Sequence, residues 1–174
     1  KMIGRGGVGM DNIDVEYARS KGINVINTPA ASSSSVAELV FAHLYGGVRF
    51  LHESNRNMPL EGDSNFKKLK KAYAKGVELR GKTIGIVGFG RIGRETAKIA
   101  LGIGMKVLAY DKFLKEASIT LNFSHEKSVE FNIKISKFNY LLENSDFISL
   151  HVPAQKEFII DKKQCELMKD GVGI

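Results

Sequence analysis

The sequence predicts an α/β fold built on a doubly wound parallel sheet. Three observations predict it. Short apolar runs alternate along the chain with segments of helical composition, the order that yields parallel strands with helices packed on their faces. One such run, Thr83-Ile84-Gly85-Ile86-Val87, opens directly into Gly88-Phe89-Gly90-Arg91-Ile92-Gly93 and then into a helical segment. The next run, Lys106-Val107-Leu108-Ala109-Tyr110, ends on an acid, Asp111.

The elements come in order along the chain. Met2-Ile3-Gly4 reads as a strand running into a glycine-rich turn, Gly6-Gly7-Val8-Gly9. Asp14 to Ser20 suits a short helix stopped by Gly22, since glycine closes helices in the left-handed conformation. Ile23 to Ile26 alternates as a strand does, and Pro29 ends that pattern. Ser35 and Glu38 have capping-box spacing, so a helix is expected from there to about Gly46–Phe50. His52 to Lys75 is polar and holds Asn, Pro59, Gly62 and lysines, which reads as a surface connection with a helical turn or two. After the glycine loop, Arg94 to Leu101 has helical spacing. Ile119 to Ser124 and Val129 to Ser136 alternate on either side of His125-Glu126-Lys127, the pattern of a surface β-hairpin. Phe138 to Glu143 reads as a helix, Phe147 to Leu150 as a buried strand, and Asp161 to Met168 as a last helix. The chain opens within a strand and stops at Val172-Gly173-Ile174, the start of another, so a piece of a longer protein is expected.

Composition narrows the class. The chain has 174 residues, 43% hydrophobic and 26% charged, enough for about one domain with a core. The longest apolar region, Val36 to Leu51, is interrupted by Glu38, His43 and Arg49, so no membrane span is expected. Lys1 to Arg5 lacks the pattern of a signal peptide. Cys165 is the sole cysteine, which excludes an internal disulfide and fits a reducing, cytoplasmic compartment. The net charge of +7 includes the run Lys67-Lys68-Leu69-Lys70-Lys71. No aromatic platform accompanies it, so it reads as a solvated face and not as a nucleic-acid site.

The chemistry is concentrated after the strand ending at Val87. Gly88 permits a tight turn, Gly90 lets a pyrophosphate approach the backbone, and Gly93 lets the helix pack close to the sheet. The helix start then offers the N–H groups of Arg91 and Ile92 to phosphate. Asp111 closes the next strand about twenty residues on, where a carboxylate accepts both ribose hydroxyls and repels a 2′-phosphate. Strand, loop, helix, strand and acid together point to a dinucleotide, and to NAD over NADP. A P-loop, a zinc site and a serine nucleophile elbow are all missing from the sequence. His151 ends a strand at the carboxyl edge of the sheet, but no carboxylate partner stands near it in sequence, so it reads as a positioning residue and not as a base. His43 falls in an apolar helix and is expected in a core or interface; His52 and His125 are expected to be exposed.

Beyond the glycine loop, the chain resembles the D-isomer-specific 2-hydroxyacid dehydrogenases. The resemblance rests on Gly4-Arg5-Gly6-Gly7-Val8-Gly9-Met10-Asp11-Asn12-Ile13-Asp14, Asn27-Thr28-Pro29, Ser35-Val36-Ala37-Glu38-Leu39, Leu79-Arg80-Gly81-Lys82-Thr83 through Gly93, and Ser145-Asp146-Phe147 through Pro153. It implies a Rossmann-like cofactor domain, residues 29–174, truncated at its C-terminal end, joined to the end of a substrate domain, residues 1–28. It further implies that Gly6 and Gly7 present backbone N–H groups to the carboxylate of a small anionic 2-hydroxyacid or 2-oxoacid, with Arg5 nearby. Val8, Val152 and Pro153 would border the cofactor. Pairing of copies through the cofactor domain is implied too, by the helix from Val36 and the arm after it. The family's catalytic arginine, acid and histidine would lie beyond Ile174, so no catalytic residue is assigned within the chain. Non-catalytic NAD-sensing proteins on this scaffold are a further possibility. Ser32 stands where relatives often carry asparagine, and the hairpin is longer than is usual in the family.

Overall fold

The computed structural model describes residues 1–124 and 126–174. It contains β1 (Met2–Arg5), α1 (Val15–Ser20), β2 (Asn24–Asn27), α2 (Ser33–Val48), α3 (Leu51–Tyr73), β3 (Thr83–Val87), α4 (Arg91–Gly102), β4 (Lys106–Tyr110), β5 (Glu116–Asn122), β6 (Ser128–Lys134), α5 (Phe138–Asn144), β7 (Phe147–Leu150) and α6 (Lys162–Cys165).

Strand β3 is the centre of the molecule. It pairs in parallel with β4 on one side and β7 on the other. Single parallel bridges widen the sheet, Ala109 to Ile135 outside β4 and Phe147 to Gly173 outside β7. The spatial order is therefore the Ile135 segment, β4, β3, β7, Gly173. These strands all run parallel, and the order in which the chain adds them reverses at β3, which is the switch point of a doubly wound sheet.

Alternation along β3 builds two cores. Ile84 and Ile86 face one layer with Phe41, Leu79, Phe89, Ala97 and Ala100 of the α2 and α4 side. Val87 faces the other with Leu141, Leu142 and Ile148. Gly85 lies under Leu141 and Ser145, where a Cβ would collide with both side chains. The hairpin β5–β6 is antiparallel, with Ala117 and Ile119 buried in the first core. Strands β1 and β2 form a separate two-stranded parallel sheet bridged by α1. Asp14 caps α1 by accepting from the Tyr17 N–H at 2.9 Å, and Gly22 comes after it at φ 68°.

Three expectations are corrected. The polar stretch after His52 is helical: α3 runs over Leu51–Tyr73 and breaks at Asn65 (φ −121°, ψ 17°). Its two segments fold against each other, since Tyr73 Oη is 3.0 Å from Asn57 Nδ2 and 3.3 Å from the Glu53 carbonyl. These contacts, with Leu69 buried and the Phe50 and Tyr73 rings 6.2 Å apart, supply the stability that local propensity lacks. The lysine run lies on the second segment, with Lys67, Lys68, Lys70 and Lys71 exposed. Helix α2 begins at Ser33 after an uncapped Ser32, so Ser35 lies inside the helix and forms no capping box. The last helix is only Lys162–Cys165, and the capping box the chain does form is there, between Asp161 and Gln164.

Candidate functional site

The glycine loop leaves β3 at the switch point. Gly88 takes φ 91° and donates its N–H to the Tyr110 carbonyl at 2.8 Å. A Cβ there would meet the His151 carbonyl oxygen and the Val152 side chain. At Gly93 a Cβ would drive into the Gly88 carbonyl. Both glycines are thus required by close packing. Around Gly90 the situation is opposite, because a Cβ there would meet nothing within 4 Å. Gly90 is also the N-cap of α4, with no side-chain cap on the helix start. An open cradle above uncapped N–H groups is what an approaching phosphate requires.

The loop borders a cleft of about 670 Å³ whose walls include Gly88, Gly90, Tyr110, Asp111, Val152 and Pro153, a size suited to a cofactor. Tyr110 and Phe138 pack with ring centroids 5.0 Å apart, giving one wall an aromatic surface. Asp111 Oδ2 accepts from the Phe89 N–H and Oδ1 from the Phe113 N–H, both at 2.8 Å. Each oxygen keeps a second lone pair for a ligand hydroxyl. Burial works to raise this carboxyl, but the N–H groups of Phe113, Phe89 and Leu114, then the charge of Arg94, outweigh it and hold it below the usual carboxylate value. The acid is therefore ionised and pre-oriented. Lys112 also lines the cleft and is exposed.

The structure thus brings Gly88, Gly90, Asp111, Val152 and Pro153 to one cleft. Gly93 packs beneath the loop, and Arg91 and Ile92 are the first two residues of α4. Arg5, Gly6, Gly7 and Val8 lie apart from these walls, on the loop after β1. There the Gly7 N–H is already donated to Thr28 Oγ1 at 2.8 Å, and Arg5 Nε donates to the Gly9 carbonyl at 3.2 Å. The Gly7 N–H is thus engaged within the loop, whereas no backbone or side-chain partner of the Gly6 N–H is seen among the described residues.

His151 is half-buried, with Nε2 3.0 Å from Ser149 Oγ and 3.2 Å from Thr96 Oγ1. Burial pushes its imidazole below the usual value. Thr96 spends its hydroxyl hydrogen on the Ile92 carbonyl at 3.0 Å, so the ring nitrogen is assigned as donor to it. The contact ties the end of β7 to α4. His43 is exposed on α2, which corrects the core half of its expected core-or-interface position; His52 is exposed, and His125 lies outside the described residues. Sequence reading passes over Thr96, Arg94 and Asp146. The last accepts the Thr83 N–H at 2.8 Å and pairs with Lys169 at 2.9 Å. Their contacts to His151, Ser118, Thr83 and Lys169 are set by the fold, so no local pattern reveals them. Among the described residues no acidic, histidine or cysteine cluster suits a metal, and no helix is long and apolar enough to cross a membrane.

Comparison with known proteins agrees with this geometry. Residues 41–174 match the family model described as D-isomer specific 2-hydroxyacid dehydrogenase, NAD binding domain. The chain is 41% identical over 99% of its length to a hydroxypyruvate reductase of Thermotoga maritima, covering 51% of that protein. It is 42% identical, again over 99% of its length, to a D-3-phosphoglycerate dehydrogenase of Archaeoglobus fulgidus, covering 30% of it. Among solved structures, a D-lactate dehydrogenase from Aquifex aeolicus complexed with NAD and lactic acid superposes with a TM-score of 0.69 at 34% identity, over 99% of this chain and 48% of that one. The chain thus spans about half or less of the length of these relatives.

Proposed function

Because the chain belongs to the D-isomer-specific 2-hydroxyacid dehydrogenase family through its NAD-binding domain, we propose that the cleft after β3 is where NAD binds. The pyrophosphate lies over Gly90 and the N–H groups of Arg91 and Ile92. The adenosine ribose rests on Asp111, and Val152 and Pro153 line the pocket beside it. Val8 approaches the same ligand from the loop after β1. The observation that carries this reading is the pairing of an open cradle at Gly90 with an ionised Asp111 held by the backbone N–H groups of Phe89 and Phe113. Bound there, NAD supplies the hydride acceptor. The chain's own residues anchor and orient, and none is assigned the substrate proton.

We further propose that the whole protein is a D-3-phosphoglycerate dehydrogenase of serine biosynthesis, cytoplasmic, and a homo-oligomer joined through α2 and the folded arm α3. The Archaeoglobus relative supports the substrate. The Thermotoga relative supports a second reading, a hydroxypyruvate or glyoxylate reductase. In both, residues 1–28 belong to the substrate domain and residues 29–174 to the cofactor domain. Arg5 and Gly6 then face an anionic 2-hydroxyacid or 2-oxoacid.

Calorimetry on the 174-residue chain tests the cofactor site. Asp111→Ala is expected to weaken NAD about tenfold to a hundredfold, the worth of hydrogen bonds to a charged group, and to narrow the preference over NADP. Unchanged NAD affinity removes Asp111 from the site. Turnover of phosphoglycerate by the full-length protein supports the first substrate; turnover of glyoxylate alone supports the second.

A further inference from the structure

Arg94 lies one residue past the glycine pattern, and its half-buried guanidinium joins two parts of the molecule, Phe89 of the glycine loop and Ser118 of the hairpin. Nε donates to the Phe89 carbonyl at 3.2 Å. Nη1 donates to the Ser118 carbonyl on β5 at 3.2 Å. The guanidinium carbon is 5.9 Å from the centroid of the Phe89 ring. Phe89 is the residue between Gly88 and Gly90, its side chain wholly buried. Its N–H is the donor to Asp111 Oδ2.

We propose that Arg94 is a positioning residue for the ribose end of the cofactor site, and that the β5–β6 hairpin is its anchor. The proposal rests on the reading of Asp111 given above. The hairpin fixes the guanidinium because Ser118 is flanked by Ala117 and Ile119, only 8% and 2% exposed. The guanidinium fixes the Phe89–Gly90 peptide. The preceding peptide, through the Phe89 N–H, holds the carboxylate that meets the ribose. The clamp adds to the fastening that the Gly88 N–H gives at the Tyr110 carbonyl, at a place where Phe89 sits between two glycines, the residues with the most backbone freedom to lose. A planar fork of donors can span two carbonyls that a single ammonium cannot. A hairpin at the surface thereby becomes part of the recognition of the 2′-position.

The test is titration of the chain with NAD and with NADP, for the wild type, Arg94→Ala, Arg94→Lys and Asp111→Ala, with circular dichroism to verify folding. Arg94→Ala is expected to weaken NAD about fivefold to tenfold and NADP less, because a released Asp111 no longer guards the 2′-position. Arg94→Lys keeps the charge and the fold but recovers only part of that loss. Equal losses for both cofactors mark a merely structural role and overturn the proposal. So does full recovery with lysine, or an unchanged affinity in Arg94→Ala. If Asp111→Ala is itself silent, the cofactor-site reading fails, a result separable from failure of the clamp alone.

Discussion

The chain carries two glycine-rich loops, each leaving a parallel strand, and they are fastened in different ways. The loop at Gly88–Gly93 leaves β3, whose last four residues are all buried, and it runs into the first turn of a twelve-residue helix. It is held from three directions: by Asp111 at the end of β4, by His151 and Val152 after β7, and by Arg94. The loop at Gly6–Gly9 leaves β1, all of whose residues are exposed. Its helix does not begin until Val15. It is tied mainly to β2 and the residue beyond it, by Asn27 Nδ2 to the Val8 carbonyl at 2.9 Å and by the Thr28 contacts to Gly7. The composition of a loop is thus a poor guide to how firmly it is held. What makes an anion cradle is a helix starting on the loop and a scaffold stiff enough to hold its N–H groups still.

The sharpest way to break this contrast is to add one methyl group to each loop. Gly93→Ala places a Cβ against the Gly88 carbonyl, with no flexible neighbour to yield. A loss of about 3 kcal/mol or more is expected, in the range of overpacked cores, read as a lower midpoint in urea. Gly6→Ala meets nothing within 4 Å and needs no left-handed backbone, so it should stay within about 0.5 kcal/mol of the wild type. Similar losses at both positions would show that the two loops are equally constrained.

The scaffold under the Gly88–Gly93 loop yields a smaller effect. Asp146 staples the start of β7 to the start of β3 through the Thr83 N–H, and to the C-terminal segment through Lys169. Asp146→Ala leaves that N–H unpaired and is expected to cost about 1–2 kcal/mol. Burial works to raise this carboxyl too, but the Thr83 N–H, Lys169 and Lys82 outweigh it and hold it below the usual value. The folded state therefore binds its proton less readily than the unfolded one. The contribution is complete at neutral pH and is lost as pH falls below about 4. Denaturation at about pH 7 and about pH 3 should show the variant's deficit shrinking in acid; a constant deficit would contradict the ionic role.

Legibility in the sequence divides along the same line. Strands β3, β4 and β7 are readable because each is an apolar run closed by glycine or a polar residue, and the hairpin because β5 and β6 alternate. The cradle is readable because Gly88, Gly90, Gly93 and Asp111 are local or at a regular spacing. Helix α3 is not, since Pro59, Gly62 and its asparagines argue locally for a connection; its stability comes from Tyr73 meeting Asn57 and Glu53 across the fold. Ser35 and Glu38 have the spacing of a cap without its backbone, whereas Asp161 and Gln164 form one. The cross-fold roles of Arg94 and Thr96 are silent because Ser118 and His151 lie 24 and 55 residues away, although each side chain also makes a local bond, to Phe89 and to Ile92.

The smallest expected effect sharpens the role of His151. Its ring ties the end of β7 to α4 through hydroxyls alone, Ser149 and Thr96, with no carboxylate to welcome a charge. Nε2 is the donor to Thr96, so a second proton would go to Nδ1, for which no partner is seen among the described residues. Burial lowers the folded pKa below the unfolded value of about 6.5. Stability is therefore full above that pH and falls as the solution is acidified below it, because the unfolded chain takes up the proton first. This window lies well above the one belonging to Asp146, so the two can be read separately in one series of thermal melts. His151→Gln offers an amide N–H in place of Nε2 and does not titrate. It should keep most of the stability at about pH 7.5 and flatten the decline between about pH 6.5 and about pH 5. A decline of unchanged slope would mean that the proton is taken up elsewhere, and that the end of β7 is not fastened to the cofactor-loop helix by a neutral imidazole.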